Sequence, residues 1–344
     1  MSSRLTSKNV LLIRLSAIGD IVMASGLPQS IKASNPEVKV TWLVEATYGS
    51  LVQHHPYVDN VILWPRHEWQ SLLKQHRYFS LLKAILAFKA QLRYENFDCV
   101  IDAQGLLKSA VLGWLSGAEK RIGFYSKEKS HWLYTQALAK RTSNQISSEY
   151  RQLAEYFGNA HYILMMEQSS RDKLTATHTL SEHSIADKFI ALAPFTTRPQ
   201  KHWLNDHWFT LINTLRKQSS LPIVILGGPN DEAAGNELTQ KHNLVYSMAG
   251  KLTLSQSAFV VSQSQLVIGV DTGLTHMGIA QQRPTIALFG STCPYTITDN
   301  PTSHVIYKPL SCSPCKRRPT CNGTFDCMAS ISPEDVFRVA KEYL

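Results

Sequence analysis

Short runs of β-branched and aliphatic residues alternate with amphipathic stretches along this sequence, and the whole alternation occurs twice. In the first half Val10–Leu15, Val38–Val44, Val61–Leu63 and Cys99–Ile101 read as strands, with Asp20–Ser34 and Ser71–Tyr94 between them reading as helices. The second half begins again with Phe189–Ala193, then Ile223–Leu226, Leu266–Val270 and Thr285–Leu288, and its helical patterns fall at Asp206–Lys217, Asp231–Lys241 and Thr272–Ala280. Strands separated by helices pair in parallel, because a parallel neighbour needs a crossover connection. The expectation is an α/β chain of two doubly wound, Rossmann-like domains facing an interdomain cleft. Residues 1–170 form the first and 185–344 the second. The Ser-, Thr- and His-containing stretch Gly158–Lys188, which lacks a strong period, lies at their junction. A length of 344 residues suits two such domains.

Several classes are excluded or disfavoured. Hydrophobic residues make up 44% and charged residues 18%, which argues against disorder or coiled coil. The start, Met1 to Lys8, is polar and the apolar run after it is only Val10 to Ile13, too short for the core of a signal peptide. No stretch approaches the roughly 18 apolar residues of a spanning helix, so membrane contact is expected to be peripheral. A cytoplasmic chain is expected, in which the cysteines are not a disulfide framework. The net charge of +9 directs attention to anionic partners: nucleic acid, acidic lipid or phosphorylated small molecules.

In open α/β sheets ligands bind beyond the carboxyl ends of strands, so the loops there carry the chemistry. The first strand leads into Arg14-Leu15-Ser16-Ala17-Ile18-Gly19-Asp20, where Asp20 is either a helix-capping carboxylate or a general base. The fourth leads into Asp102-Ala103-Gln104-Gly105-Leu106-Leu107-Lys108-Ser109. Asp102 and Gln104 there serve a cap or a ligand, and Lys108 and Ser109 suit an acidic group. In the second half, Thr196, Thr197 and Lys201 suit a diphosphate. Gly227-Gly228-Pro229-Asn230-Asp231-Glu232 lets backbone approach a ligand and places Glu232 for a ribose hydroxyl. Asp271-Thr272-Gly273-Leu274-Thr275-His276 opens a helix whose N-terminus forms an anion site. Neither the dinucleotide fingerprint, the Walker A pattern nor an Asp-X-Asp pair is present.

Taken together, Arg14–Asp20, Asp102–Ser109, Thr196–Trp203, Gly227–Glu232 and Asp271–His276 with Gly290-Ser291-Thr292 resemble the bacterial heptosyltransferases, glycosyltransferase family 9, of GT-B fold. The resemblance is greatest to the subtype that adds the first heptose. It implies that Asp20 is the base that activates the acceptor hydroxyl. Thr196, Thr197 and Lys201 would hold the diphosphate, Glu232 and Met248 would lie near ribose and base, and Asp271, Thr272, Gly273, Leu274 and His276 would complete the donor site. The implied donor is ADP-L-glycero-β-D-manno-heptose and no cofactor is required. The implied acceptor is the Kdo-bearing inner core of lipopolysaccharide on lipid A, at the cytoplasmic face of the inner membrane. Ser16, Arg66, Gln104, Lys108 and Lys129 are the candidate acceptor contacts. Lys129 stands in Lys127-Glu128-Lys129-Ser130-His131, where the family commonly has an arginine, and a lysine cannot supply bidentate recognition. Pro28 lies eight residues after Asp20, against six in the family, so the first helix is expected to start differently.

Two features stand apart. Cys312, Cys315, Cys321 and Cys327 lie within sixteen residues beside Lys316, Arg317 and Arg318, a spacing open to a structural zinc ion or to a plain reduced loop; Cys99 and Cys293 are elsewhere. The charge is also uneven: residues 1–179 carry 21 Lys and Arg against 14 Asp and Glu, while residues 180–344 carry 14 against 12. A basic first half fits a phosphate- and carboxylate-bearing glycolipid acceptor. Two further readings remain open: a family 9 enzyme with another nucleotide sugar or acceptor, and a non-enzymatic basic protein that binds nucleic acid, for which no recognition motif is present.

Overall fold

The computed structural model describes residues 7–344 apart from Thr142, Ala160, Ala186, Asp187, Lys241, Cys293 and Arg317. Most of the polar N-terminal start, the last residue of the expected Asp231–Lys241 helix, Cys293 and Arg317 therefore lie outside the described residues. Two compact units result: residues up to 143 with 147–167, and residues 144–146 with 168–344.

The first unit holds strands β1 (Asn9–Ile13), β2 (Lys39–Glu45), β3 (Asn60–Trp64), β4 (Cys99–Asp102), β5 (Lys120–Phe124) and β6 (Gln136–Leu138). They form one parallel sheet in the order β3-β2-β1-β4-β5-β6. Its helices are α1 (Ile18–Ala24), α2 (Leu27–Ser34), α3 (Arg66–Lys74), α4 (Tyr78–Tyr94), α5 (Leu107–Leu115) and α6 (Ser148–Tyr156). Val10 of β1 pairs with Val40 on one side and Cys99 on the other, so β1 is a central strand; Val10 to Ile13 are fully buried, and the strand reads as an unbroken apolar run. Leu11, Ile13 and Val100 of the sheet pack with Phe88 and Leu92 of α4 and Leu112 of α5 in one core.

The second unit repeats this winding. Strands β7 (Ile190–Ala193), β8 (Ile223–Ile225), β9 (Val245–Ser247), β10 (Leu266–Val270), β11 (Thr285–Phe289) and β12 (Ser303–Tyr307) lie in the order β12-β11-β10-β7-β8-β9, all parallel. Counted from β7, this is the first unit's order again. Helices α7 (Ser170–Ser181), α8 (Asn205–Gln218), α9 (Glu232–Thr239), α10 (Leu254–Gln263), α11 (Gly273–Ala280), α12 (Asp326–Ala329) and α13 (Pro333–Ala340) complete it. Trp208, Leu211, Ile212 and Leu215 of α8 pack on Ile190, Leu192 and Ile223 of the sheet.

The structure corrects the expected elements at several places. Asp20–Ser34 is two helices, broken at Ser25-Gly26, because Pro28 has no N–H to give the Ala24 carbonyl and its ring would crowd it; Gly26 fits beneath Tyr162 and Ile163, where a Cβ would lie 2.7 Å from the Ile163 carbonyl. Pro28 then sits in the first turn of α2, where its missing N–H costs nothing. Ser71–Tyr94 is likewise two helices, separated at Gln75–Arg77 where His76 takes a left-handed φ of 56°. The junction stretch contains α7, whose N-terminus is capped by the Ser169 hydroxyl accepting from the Asp172 N–H. Strands β5, β6, β9 and β12 were not expected.

Candidate active site

Each sheet has a switch point, where neighbouring strands lead to opposite flanks: β1 beside β4 in the first unit and β7 beside β10 in the second. The motif-bearing loops follow these four strands.

In the first unit, α1 begins one residue after Ala17, which places Asp20 in the first turn rather than at the cap position. Asp20 Oδ2 accepts from the Ala17 N–H at 3.2 Å and pairs with Arg14 Nη2 at 2.5 Å. Arg14 is itself buried, donates through Nη1 to the Ala103 carbonyl at 2.9 Å, and lies 5.6 Å from the centre of the Tyr150 ring. Among the described residues nothing donates to Asp20 Oδ1, and the side chain is 39% exposed. One oxygen is thus fixed and the other is open to a ligand.

Asp102 is fully buried and accepts from the Gln104 and Gly105 N–H groups at 2.9 and 3.0 Å and from the Tyr134 hydroxyl at 2.7 Å. Burial pushes its pKa up against these donors, so the residue organises the loop and does not face a ligand. Gln104 Oε1 accepts from the Leu15 and Ser16 N–H groups at 3.0 and 3.2 Å, tying the β4 loop to the β1 loop. Gln104 is therefore a brace, and only its amide nitrogen is left for an acceptor. Ser16 is half-buried beside it.

Arg66 Nη1 lies 3.1 Å from Oε2 of the buried Glu45. Lys108 sits 5.7 Å above the Trp64 ring, and burial followed by the nearby Arg66 charge lowers its pKa. These effects place Lys108 and Arg66 in one basic cluster, with Glu45 neutralising part of it. Lys129 is exposed and lies 4.8 Å from the Trp132 ring centre, while its neighbour Glu128 accepts from the Leu107 N–H at 2.9 Å at the start of α5.

In the second unit Lys201 Nζ lies 2.6 Å from Asp271 Oδ2 and 3.3 Å from the Asp271 carbonyl. An ammonium group has three donors, so one remains for an anion. The Asp271 carboxylate also accepts from Thr292 Oγ1 at 2.6 Å and from His276 Nε2 at 3.2 Å. His276 Nδ1 meets the Tyr295 hydroxyl at 2.8 Å. Burial alone would raise the Asp271 pKa, but His276 and Lys201 outweigh it and hold the carboxyl well below its ordinary range. His276 thus supports Asp271 and Lys201 from within the core.

Thr272 is the N-cap of α11 and its side chain makes no capping bond, so the hydroxyl and the first N–H groups of the helix are available together. Gly273 is buried and Leu274 half-buried in the same turn. Thr196 is half-buried and Thr197 exposed just before the tight turn Pro199–Lys201, and neither hydroxyl has a partner among the described residues. Glu232 is exposed at the start of α9, with its Oε2 3.5 Å from where a Cβ on Gly250 would stand.

A Cβ on Gly227 would lie 2.6 Å from the Phe195 ring, so packing already requires that glycine. One expectation changes here. Met248 is fully buried, which puts its side chain in the core rather than against a base. Sequence reasoning also missed the roles of Arg14, Tyr295 and Tyr134: aromatic hydroxyls and a buried arginine carry no spacing signal that separates them from ordinary core and surface residues.

Among the described residues no group of three or more His, Cys, Asp or Glu side chains is arranged to hold a metal ion, and the four clustered cysteines are free thiols. No helix among the described residues is long and apolar enough to cross a membrane.

A family 9 glycosyl transferase from Veillonella parvula DSM 2008 has a similar structure, with a TM-score of 0.80 at 19% identity over 99% of this chain and 98% of that one. The structure of E. coli heptosyltransferase WaaC with ADP-2-deoxy-2-fluoro heptose gives a TM-score of 0.74 at 25% identity, covering 98% of this chain and all of that one (100%). Two parallel six-stranded sheets with polar loops at their switch points are thus those of a GT-B glycosyltransferase. The sequence model of glycosyltransferase family 9 (heptosyltransferase) matches residues 85–325, and the chain belongs to that family. It is 29% identical over 300 residues to lipopolysaccharide heptosyltransferase 1 of Escherichia coli (strain K12), covering 83% of this chain and 88% of that protein.

Proposed function

We propose that this enzyme transfers L-glycero-D-manno-heptose from its ADP-β-linked form to the Kdo residue of a lipopolysaccharide precursor, with inversion at the anomeric carbon. It would act at the cytoplasmic face of the inner membrane. The family membership, the 29% identity to a lipopolysaccharide heptosyltransferase 1 and the donor analogue named with a similar structure support the substrate pair.

The observation that carries the mechanism is Asp20, held through Oδ2 by Arg14 with Oδ1 unengaged among the described residues. Asp20 Oδ1 takes the proton of the acceptor hydroxyl as its oxygen bonds to the anomeric carbon. The bond from that carbon to the β-phosphate oxygen breaks, and its electron pair leaves with ADP. The sugar passes through an oxocarbenium-like state in this single displacement. The growing charge on the diphosphate is met by the third donor of Lys201, the hydroxyls of Thr196, Thr197 and Thr272, and the N-terminus of α11. Asp271, itself held by His276 and Thr292, keeps the Lys201 ammonium in place. Gly273 and Leu274 shape the same turn, and Glu232 reaches the ribose. Lys108, Arg66, Lys129, Ser16 and the Gln104 amide receive the acidic acceptor.

Incubation with ADP-heptose and defined truncated lipopolysaccharides, followed by mass analysis, tests this reading. Addition of one heptose to Kdo-bearing lipid A is the expected product. Transfer from a different nucleotide sugar alone would overturn the donor assignment.

A further inference from the structure

An ordinary surface helix has one apolar stripe, turned inward. α4 has two. Leu81, Ile85, Phe88 and Leu92 follow helical spacing on the face turned to the sheet, and Phe88 and Leu92 are buried there. On the opposite face Phe79, Leu82, Leu86 and Ala90 recur at the same spacing in the open, with Phe79 84% exposed and both leucines more than half exposed. Tyr78 and Tyr94 extend the stripe at both ends and Leu73 of α3 continues it across the break. α5 packs beside α4 over the same core and presents Leu107, Val111 and Trp114 outward, again at one-turn spacing. These are apolar residues repeated at helical spacing on neighbouring helices, not scattered exposure.

The charges along α4 and the chain leading into it have one sign, with Glu68 and Glu128 at the margins of the face. Residues 69–94 carry Lys74, Arg77, Lys83, Lys89 and Arg93 and no Asp or Glu. Among the described residues none of the five is ion-paired. Lys83 and Arg93 project from the exposed face itself, between the leucines and the aromatics. A second copy of this chain is a poor occupant, since two copies of α4 laid face to face would bring Lys83, Lys89 and Arg93 against their like with no acidic residue on either helix. Nucleic acid would leave the leucines unsatisfied. A surface with fixed negative charge above a layer of hydrocarbon satisfies both features at once.

We propose that the outer face of α3, α4 and α5 docks on an anionic phospholipid bilayer. α4 lies in the plane of the interface with Phe79, Leu82 and Leu86 in the acyl boundary, and the five basic residues reach the headgroups. At 17 residues α4 extends about 25 Å along the surface. The docking face rests on the reading that the acceptor is lipid-borne, and it adds which surface of the enzyme meets the lipid.

The test is co-sedimentation of the full chain with vesicles of phosphatidylethanolamine and phosphatidylglycerol, or of phosphatidylcholine alone, with no donor or acceptor present. Vesicle binding is thereby read independently of the substrates. Wild type is expected to bind the anionic vesicles and not the neutral ones. Leu82→Gln with Leu86→Gln, and separately Lys83→Gln with Lys89→Gln, are each expected to lower anionic partitioning about tenfold or more. Both double variants should keep the melting temperature and the turnover of a water-soluble Kdo acceptor. Equal binding of wild type to neutral and anionic vesicles, or unchanged binding of both variants, would overturn the proposal. So would a concentration-dependent dimer abolished by the leucine changes. Failure of the soluble acceptor to react, with vesicle binding intact, would count against the substrate reading and leave the docking face standing.

Discussion

Arg14 and Asp20 form a 2.5 Å ion pair in which the arginine is almost wholly buried and the aspartate is open to solvent on its other oxygen. The carboxylate is aimed from below by a guanidinium that the Ala103 carbonyl and the Tyr150 ring fix in turn. Under the proposed mechanism Arg14 positions the base. Arg14→Met is expected to lower kcat about tenfold to a hundredfold while leaving the donor KM nearly unchanged, because a misaimed base costs rate and not nucleotide affinity. Steady-state kinetics with ADP-heptose checks this. A change confined to donor KM would show that Arg14 has a different role.

Asp271 collects Lys201, His276 and Thr292, so its removal strands a cation. Asp271→Asn is expected to cost roughly 3 kcal/mol in stability, through an uncompensated and mostly buried Lys201. It should also weaken ADP binding at least about tenfold. Tyr295→Phe removes only the hydrogen bond to His276 and should cost about 1 kcal/mol. Thermal melts with and without ADP measure both. A Tyr295→Phe effect equal to that of Asp271→Asn would mean that His276 meets the nucleotide itself.

His55 predicts a pH dependence of folding. It is buried, its Nε2 meets the Ser25 carbonyl at 2.8 Å where α1 gives way to α2, and its Nδ1 accepts from the Tyr57 N–H at 3.2 Å. Burial pushes its pKa down from 6.5 to about 4. The unfolded chain therefore takes up a proton before the folded one does. This contribution is fully present above pH 6.5, is lost as pH falls from 6.5 to 4, and amounts to about 3 kcal/mol across that window. Urea unfolding at a series of pH values should show this slope, and His55→Leu should flatten it. An unchanged slope in the variant would assign the dependence to other groups.

The winding of both units was legible because central strands of a parallel sheet are buried on both faces and leave unbroken apolar runs. β1 and β10 are of this kind. The strands that escaped notice lie outside the centre or carry few apolar residues. β5 begins Lys120-Arg121, β6 is Gln136-Ala137-Leu138 at a sheet edge, and β9 is only Val245-Tyr246-Ser247. The first helix break is signalled by Pro28, which the helical pattern on either side outweighed, whereas the second, where His76 takes a left-handed φ, has no such residue. At the site, strand-end motifs exposed Asp20, Lys201 and Asp271. Their supports did not stand out: Arg14 looks like any strand-end arginine, and Tyr295 lies nineteen residues from the histidine it holds. Met248 and Gly227 were legible as positions but not as environments, since burial and the neighbouring Phe195 ring decide what each one does.

Asp20 as the general base is the central claim, and turnover of Asp20→Asn with ADP-heptose and a Kdo-bearing acceptor tests it most directly. The asparagine keeps an oxygen for Arg14 and removes the proton acceptor. Folding and ADP affinity should therefore be preserved while kcat falls about a hundredfold or more. Turnover close to that of the wild type, with the same acceptor and intact ADP binding, would contradict the account.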